Sequence, residues 1–357
     1  MEECGLKELQ YLRVSRDPRR YVRPNERTAL LSPPPCAPRS RGHSARRPPP
    51  RLLMLVTSAP AHHEHRQAIR ETWGRRSEDA RLVFVLGRGR EPVTQPPAEV
   101  LEESQRHRDL LVEDFTDAYH NLTLKTLFLL KWAVRECPSA EFVLKTDDDV
   151  LINTRGLVRA LPRWVAQTRG GAANGRLGGL DAASASDPHA HEALPALIFG
   201  FVFHHLLPIR DAKFRLYAPN WLFPERVYPD YVSGSAYVIT GTSLELLFKE
   251  AMDTPLLPIE DVFLTGIVGG SRLGIPLVHI SRFWTDDTRF EESKKIYHHC
   301  AYHHMLATHH VTPEMLRQLW KPLVQLQPAR ECDTLLMHIL GHLFTPGSYQ
   351  VVTDDPW

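Results

Sequence analysis

The chain has 357 residues, 43% hydrophobic and 24% charged, with a formal net charge of +1. This is an ordinary globular balance, with enough chain for one large core or two modest ones. The near-zero charge gives no global reason to expect nucleic-acid binding.

The charge is unevenly spread. Residues 1–51 hold eleven Arg and one Lys against five acids, and residues 1–50 hold nine prolines. Proline fixes φ and removes a backbone donor, so residues 1–50 are expected to be extended and poorly ordered. Order is expected from Leu52. Leu52 to Val56 is a short continuous apolar run closed by Ala59-Pro60, as a buried parallel strand should be. A helix is predicted over His65–Trp73, a second buried strand over Leu82–Gly87, a polar helix near 97–108 and a short strand at Leu110–Val112. Residues 119–135 carry Leu122, Leu127, Leu130 and Val134 near helical spacing. Phe142–Leu144 is the next strand, and it runs into Asp147-Asp148-Asp149. Strands alternating with helices from 52 to 150 argue a parallel, doubly wound sheet.

Residues 168–191 are rich in Gly, Ala, Ser and Asp and read as a surface loop. Beyond them, strands are expected at Ala196–Phe203 and Ala236–Thr240, and helices over 242–250 and 260–269. A histidine-rich stretch, 298–310, precedes a last helix from Pro313 to about Trp320, with proline well placed at its start. No run of eighteen apolar residues and no basic-then-apolar leader is present, so the chain reads as soluble. None of the five cysteines (Cys4, Cys36, Cys137, Cys300, Cys332) lies in a C-x-x-C spacing, which argues against a zinc ribbon. Asn121-Leu122-Thr123 is a glycosylation sequon, relevant only to a secreted chain.

Four features carry chemistry. Asp147, Asp148 and Asp149 end a predicted buried strand, at the sheet edge where open α/β sheets bind ligands. Alternate carboxylates there suit a hard divalent cation, which in turn clamps a diphosphate; an acidic turn capping the next helix is the other reading. Glu260-Asp261 follows Pro255-Leu256-Leu257-Pro258 and so opens a helix. These acids either complement the helix dipole or supply a general base. The histidines at 298, 299, 303, 304, 309 and 310 either share no role or include one neutral imidazole that completes a metal site. Arg66 and Arg70, one turn apart, could contact phosphates, order the aspartates, or be surface charges.

Taken in order, these blocks resemble a known family. Arg66…Ile69-Arg70-x-Thr72-Trp73 comes first, then Phe84-Val85-Leu86-Gly87 and Asp114-Phe115-x-Asp117-x-Tyr119-x-Asn121…Lys125-Thr126. Phe142…Lys145-Thr146-Asp147-Asp148-Asp149 follows, then Tyr228-Pro229-x-Tyr231-x-Ser233-Gly234 and Glu260-Asp261-Val262, and finally His309-x-x-x-Pro313…Trp320. This series, over about 52–320, closely resembles glycosyltransferase family 31, the β1,3-galactosyl- and β1,3-N-acetylglucosaminyltransferases.

The resemblance implies a GT-A fold, a Rossmann-like mixed sheet flanked by helices, over residues 51–325. Residues 1–50 become a stem-like segment and 326–357 a C-terminal extension. It implies a UDP-sugar donor, a manganese ion and an inverting, single-displacement transfer to a glycoprotein or glycolipid acceptor, with galactose as the expected sugar. N-acetylglucosamine transfer, or an inactive glycan-binding relative, is the alternative. Carried over by position, Asp147, Asp149 and His309 look like metal ligands and Asp261 like the catalytic base. Arg66, Arg70, Lys125, Lys145, Asp148, Ser233, Gly234 and Glu260 look like donor-pocket residues, with Ser233-Gly234-Ser235 on a small-residue loop. Family members are usually membrane-anchored in the Golgi, so that location and membrane association are implied, although no anchor is legible here. In a Golgi lumen, Cys137 and Cys300 are the expected disulfide pair.

Overall fold

A computed structural model describes residues 15–36, 50–75, 77–89, 95–173, 194–284, 302 and 305–325. Its centre is an eight-stranded mixed sheet in the order β1-β4-β3-β2-β5-β8-β7-β9. Strands β2 (Leu52–Thr57), β3 (Ala80–Arg88), β4 (Leu110–Thr116) and β5 (Phe142–Asp147) run parallel, as the alternation of strands and helices predicts. β8 (Tyr231–Thr240) pairs antiparallel with both β5 and β7 (Ile198–Phe203), and β9 (Leu277–His279) closes the far edge.

Every residue of β2 is buried, because helices cover both faces of the sheet. Alternate residues feed two separate cores. Leu53 and Leu55 pack with Val83, Val85 and Val143 under α4 (Leu122–Glu136), α6 (Gly241–Met252) and α7 (Val262–Arg272). Leu52, Met54 and Val56 pack with Phe84, Leu86 and Leu144 under α2 (His63–Glu71), α5 (Thr154–Ala173) and α8 (Pro313–Gln325). Helix α3 (Ala98–His107) precedes β4. The two-residue period of the strand thus assigns each side chain to one core.

Three expectations need correction. Residues 15–36 are folded onto the domain: α1 (Arg19–Val22) buries Val22 completely, and β1 (Ala29–Leu31) pairs antiparallel with β4. Edge strands tolerate flanking prolines, so the Thr28–Leu31 run still pairs between Pro24 and Pro33. The buried ammonium of Lys131, on α4, donates to Val22 O at 2.7 Å and to Thr28 Oγ1 at 2.8 Å. Second, Cys137 pairs with Cys36, not Cys300; their Cα atoms are 4.9 Å apart, and Cys300 lies outside the described residues. The ordered N-terminal segment brings Cys36 to the end of α4, where its N–H also donates to Glu136 O. Third, α5 carries Pro162 internally and reaches Ala173, so it takes the first part of the expected 168–191 loop. Residues 174–193, the four histidines at 298, 299, 303 and 304, and the 326–357 extension lie outside the described residues.

A second, three-stranded sheet, β10-β11-β6, is built from β6 (Leu151–Ile152), β10 (Phe283–Trp284) and β11 (Ala307–Thr308). It ties the end of the chain to the acidic turn after β5.

Candidate active site

Antiparallel pairing sets one end of the site. Thr308 lies opposite Leu151 and Ala307 opposite Ile152. Continuing that register one step brings the residues after β11 against those before β6, and Val311 N–H donates to Asp149 O at 2.8 Å. His309 Nε2 consequently lies 3.3 Å from Asp149 Oδ1, and His310 Nδ1 lies 3.7 Å from Asp149 Oδ2. One ligand atom from each of Asp149, His309 and His310 falls within 4.8 Å of the others. One carboxylate and two imidazoles are a donor set that first-row divalent cations accept. Burial raises the Asp149 pKa, but the hydrogen bond and charge of His309, with that of His310, outweigh it, and the net shift is downward. His310 holds a left-handed backbone, φ 61°, which lets two successive rings face one carboxylate.

Asp147 does not join that group. Its Oδ1 instead takes hydrogen bonds from Thr57 Oγ1, at the end of β2, and from Lys145 Nζ at 2.9 Å. Both residues are on β5, two apart, so their side chains share one face of the strand. Of the expected pair of ligands, only Asp149 lies in the group of candidate donor atoms; Asp147 Oδ1 faces Lys145 and Thr57 instead. Lys145 is 4% exposed and sits at a junction. Its Nζ also donates to Gly234 O at 2.5 Å and lies 3.6 Å from Glu260 Oε2. Burial pulls the Lys145 pKa down, but the charges of Asp147 and Glu260 reverse that and hold it raised.

Gly234 is where the third acid enters. Its N–H donates to Asp261 Oδ2 at 3.0 Å, and Val262 N–H donates to Asp261 Oδ1 at 2.9 Å. Asp261 thus caps α7, a helix wound with the wide π spacing. Burial, then the neighbouring Glu260 charge, pushes the Asp261 carboxyl up to about 6, against the pull of the two backbone bonds and Lys145. Glu260 is itself held by Tyr237 Oη at 2.8 Å. Ser233, Gly234 and Ser235 belong to β8, not to a loop, and Ser233 is buried with its hydroxyl 3.3 Å from that of Ser235.

Asp148 is buttressed from the other direction. Its Oδ2 accepts from Ser58 Oγ at 2.7 Å and lies 2.9 Å from His62 Nδ1. The hydrogen bond to Asp148 raises the His62 pKa more than partial burial lowers it. Behind Ser58 stands Arg66, fully buried, with Nη1 3.1 Å from Ser58 Oγ and a two-pronged ion pair to Glu103 at 2.8 and 2.6 Å. Arg70 pairs with Glu103 and Asp109 and lies over the Phe84 ring. Lys125 is buried between Asp117 and Ser58 O, each at 2.7 Å. Arg66, Arg70 and Lys125 are therefore not free to meet donor phosphates. Their charges face Glu103, Asp109 and Asp117, and Arg66 reaches Asp148 through Ser58, in line with one of the readings the sequence left open.

The loop 204–230 between β7 and β8, with the start of β8, brings aromatic rings within reach of the Asp261 charge. Tyr228 and Tyr231 meet edge to face with centroids 6.3 Å apart, and burial pushes Tyr228 up to about 12. The Asp261 charge adds to the shift on both. Arg215 lies 3.3 Å above the Tyr119 ring, whose pKa is raised first by burial and further by Asp261 and Asp147. The same loop exposes Leu207 (68%), Phe214 (56%) and Trp221 (42%).

A galactosyltransferase family model matches residues 64–179 and 183–281, a span that holds β2's successor helix, the acidic turn, β8 and Asp261. The chain belongs to the galactosyltransferase family. It is 35% identical over 285 residues to mouse beta-1,3-galactosyltransferase 4, covering 77% of this chain and 72% of that protein. It is 30% identical over 278 residues to human beta-1,3-galactosyltransferase 1, covering 77% and 74%. Among solved structures, the galactosyltransferase LgtC with donor and acceptor sugar analogues is 9% identical, with a TM-score of 0.35 over 78% of this chain and 99% of that one. Mouse xyloside xylosyltransferase 1 is 13% identical, with a TM-score of 0.31 over 70% and 92%. This galactosyltransferase is accordingly a hexosyltransferase, and its mixed sheet flanked by helices is an α/β fold.

Sequence reading missed His62, Ser58, Glu103, Tyr237 and His310 as members of this galactosyltransferase site. Only His310 had a signal, as the neighbour of His309. Glu103 is one acid among several on α3, and nothing in one sequence pairs it with Arg66.

Proposed function

We propose that the enzyme transfers galactose from UDP-galactose to the 3-hydroxyl of a glycan acceptor in β linkage, with inversion and with manganese as cofactor. The observation that carries this reading is the Asp261 carboxylate. It is fixed by Gly234 and Val262, held near pKa 6, and linked through Gly234 and Lys145 to the acidic turn. Galactose as the sugar rests on the beta-1,3-galactosyltransferase relatives.

Asp149, His309 and His310 would hold the cation, whose positive charge offsets the charge growing on the departing UDP. Asp261 accepts the proton of the acceptor hydroxyl as that oxygen bonds to the anomeric carbon and the bond from that carbon to the diphosphate oxygen breaks. A base of pKa about 6 is ionised at neutral pH yet basic enough to take a proton late in the step. Lys145 fixes the Asp147 side of the cleft and pairs with Glu260 beside Asp261. The acceptor lies against the aromatic loop 204–230, where the rings of Tyr228 and Tyr231 border Asp261.

The Cys36–Cys137 bond supports an oxidising compartment, and we place the enzyme in the Golgi lumen. Membrane association belongs to the same proposal; among the described residues no helix is long and apolar enough to cross a membrane.

The test is a donor screen, UDP-galactose against UDP-N-acetylglucosamine, on purified protein with manganese or EDTA, with product linkage and anomeric configuration read by NMR. The reading expects a β1,3-galactosyl product that disappears in EDTA. Transfer that ignores EDTA, an α product, or a preference for the N-acetylglucosamine donor overturns the corresponding part.

A further inference from the structure

A large cavity lies against α5. Its volume is about 830 Å³, within the range of small-molecule sites. Arg51 and Asp79 on its wall immediately precede β2 and β3, at the edge of the sheet opposite to Thr57 and Asp147. Six strand residues separate these edges by roughly 20 Å, and the inner wall reaches back to Leu151 and Thr308, beside Asp149 and His309.

Its wall is basic. Arg155, Arg159 and Arg163 recur every fourth residue on α5 and form one stripe, and Arg51 and Arg75 contribute from other elements. Like charges at that spacing oppose helix formation. Arg155, Arg159 and Arg163 have no ion pair with any described residue, and Asp79 is the one acid on the described wall. Trp320 and Leu323, also on the wall, offer apolar surface.

The ligand must therefore combine a negative group for guanidinium forks with a C–H face for aromatic and aliphatic side chains. We propose that this cavity is a second binding site, for an acidic saccharide carrying a carboxylate or sulfate. It requires neither the donor nor the metal.

Calorimetric titration tests this with the catalytic site saturated by UDP and manganese. The probes are a sulfated uronic-acid disaccharide, neutral lactose and inorganic sulfate. The proposal expects the acidic disaccharide to bind one to one and at least about tenfold more tightly than lactose or sulfate, the discrimination expected when a charge-assisted contact is present or absent. Arg155→Ala/Arg159→Ala, whose side chains are exposed, should abolish that preference without moving the thermal midpoint. Equal binding of lactose, equal binding of sulfate alone, undiminished binding by the double variant, or no binding at all would each overturn it. Loss of transferase activity in the donor screen would leave this result untouched.

Discussion

Gly234 joins two acids that the chain places far apart: its N–H donates to Asp261 Oδ2 at 3.0 Å, while its carbonyl accepts from Lys145, which also grips Asp147. The base and the acidic turn are thereby set at a fixed separation by one strand, β8, lying between them. Positioning of this kind is where a small displacement costs rate.

A methyl group at Gly234 would come within 3.2 Å of Asp261 Oδ2 and 3.3 Å of Glu260 Oε2. Gly234→Ala should therefore displace the carboxylate by a few tenths of an ångström. Steady-state kinetics should show kcat falling about tenfold or more, with the donor KM less affected, because the disturbance falls on the base.

Asp261→Asn removes the base while keeping its size. The expected loss in kcat is on the order of 10²–10⁴-fold, the usual worth of general-base catalysis. Metal affinity should be unchanged, since Asp261 is not among the Asp149, His309 and His310 group. A variant with near-normal kcat would remove Asp261 from the mechanism.

Asp149 and Asp147 should separate cleanly. Asp149→Ala and His309→Ala should each raise the manganese concentration for half-activity by about ten- to a hundredfold, as loss of a supporting metal contact typically does. Asp147→Ala should raise it much less, because that carboxylate is engaged by Thr57 and Lys145. Equal effects on metal dependence would mean that Asp147 turns toward the cation once donor is bound.

Arg66→Ala distinguishes a buttress from a phosphate clamp. It strands Glu103, 5% exposed, without its two-pronged partner. Breaking a buried pair costs about 3–5 kcal/mol, so the thermal midpoint should fall by several degrees. The donor KM measured below that midpoint should stay close to wild type; a large rise would restore Arg66 to the donor pocket.

How far the sequence carried is clear from these residues. The parallel half of the sheet was legible because β2 and β5 are apolar on both faces, a pattern that only burial on both sides produces. Ordered motifs singled out Asp149, His309 and Asp261, and the fold sets Asp149 beside His309 and holds Asp261 on Gly234 and Val262. The partners of Arg66, Arg70 and Lys125 were not legible, since sequence places a charge on an element but does not reveal the acid it meets; Glu103 and Asp109 lie 37 and 39 residues from their arginines. Helix α5 was hidden by Pro162, tolerated inside it, and the Cys36 partnership by an N-terminal segment whose prolines masked a three-residue edge strand.

Asp261 also links activity to stability through pH. Its folded pKa is raised from 3.8 to about 6, so carrying its charge destabilises the fold. That contribution is absent below about pH 4 and grows as pH rises toward 6, the same window in which the base becomes active. Asp261→Asn should gain thermal stability relative to wild type as pH rises through this window.

The most direct measurement is the pH dependence of kcat at saturating donor, acceptor and manganese, for wild type and Asp261→Asn together. Wild type should lose activity on an acidic limb centred near pH 6, with one proton taken up, and the residual rate of the variant should lack that limb. The same limb in both proteins, or a wild-type rate flat down to pH 4.5, would contradict Asp261 as the group that takes the acceptor's proton.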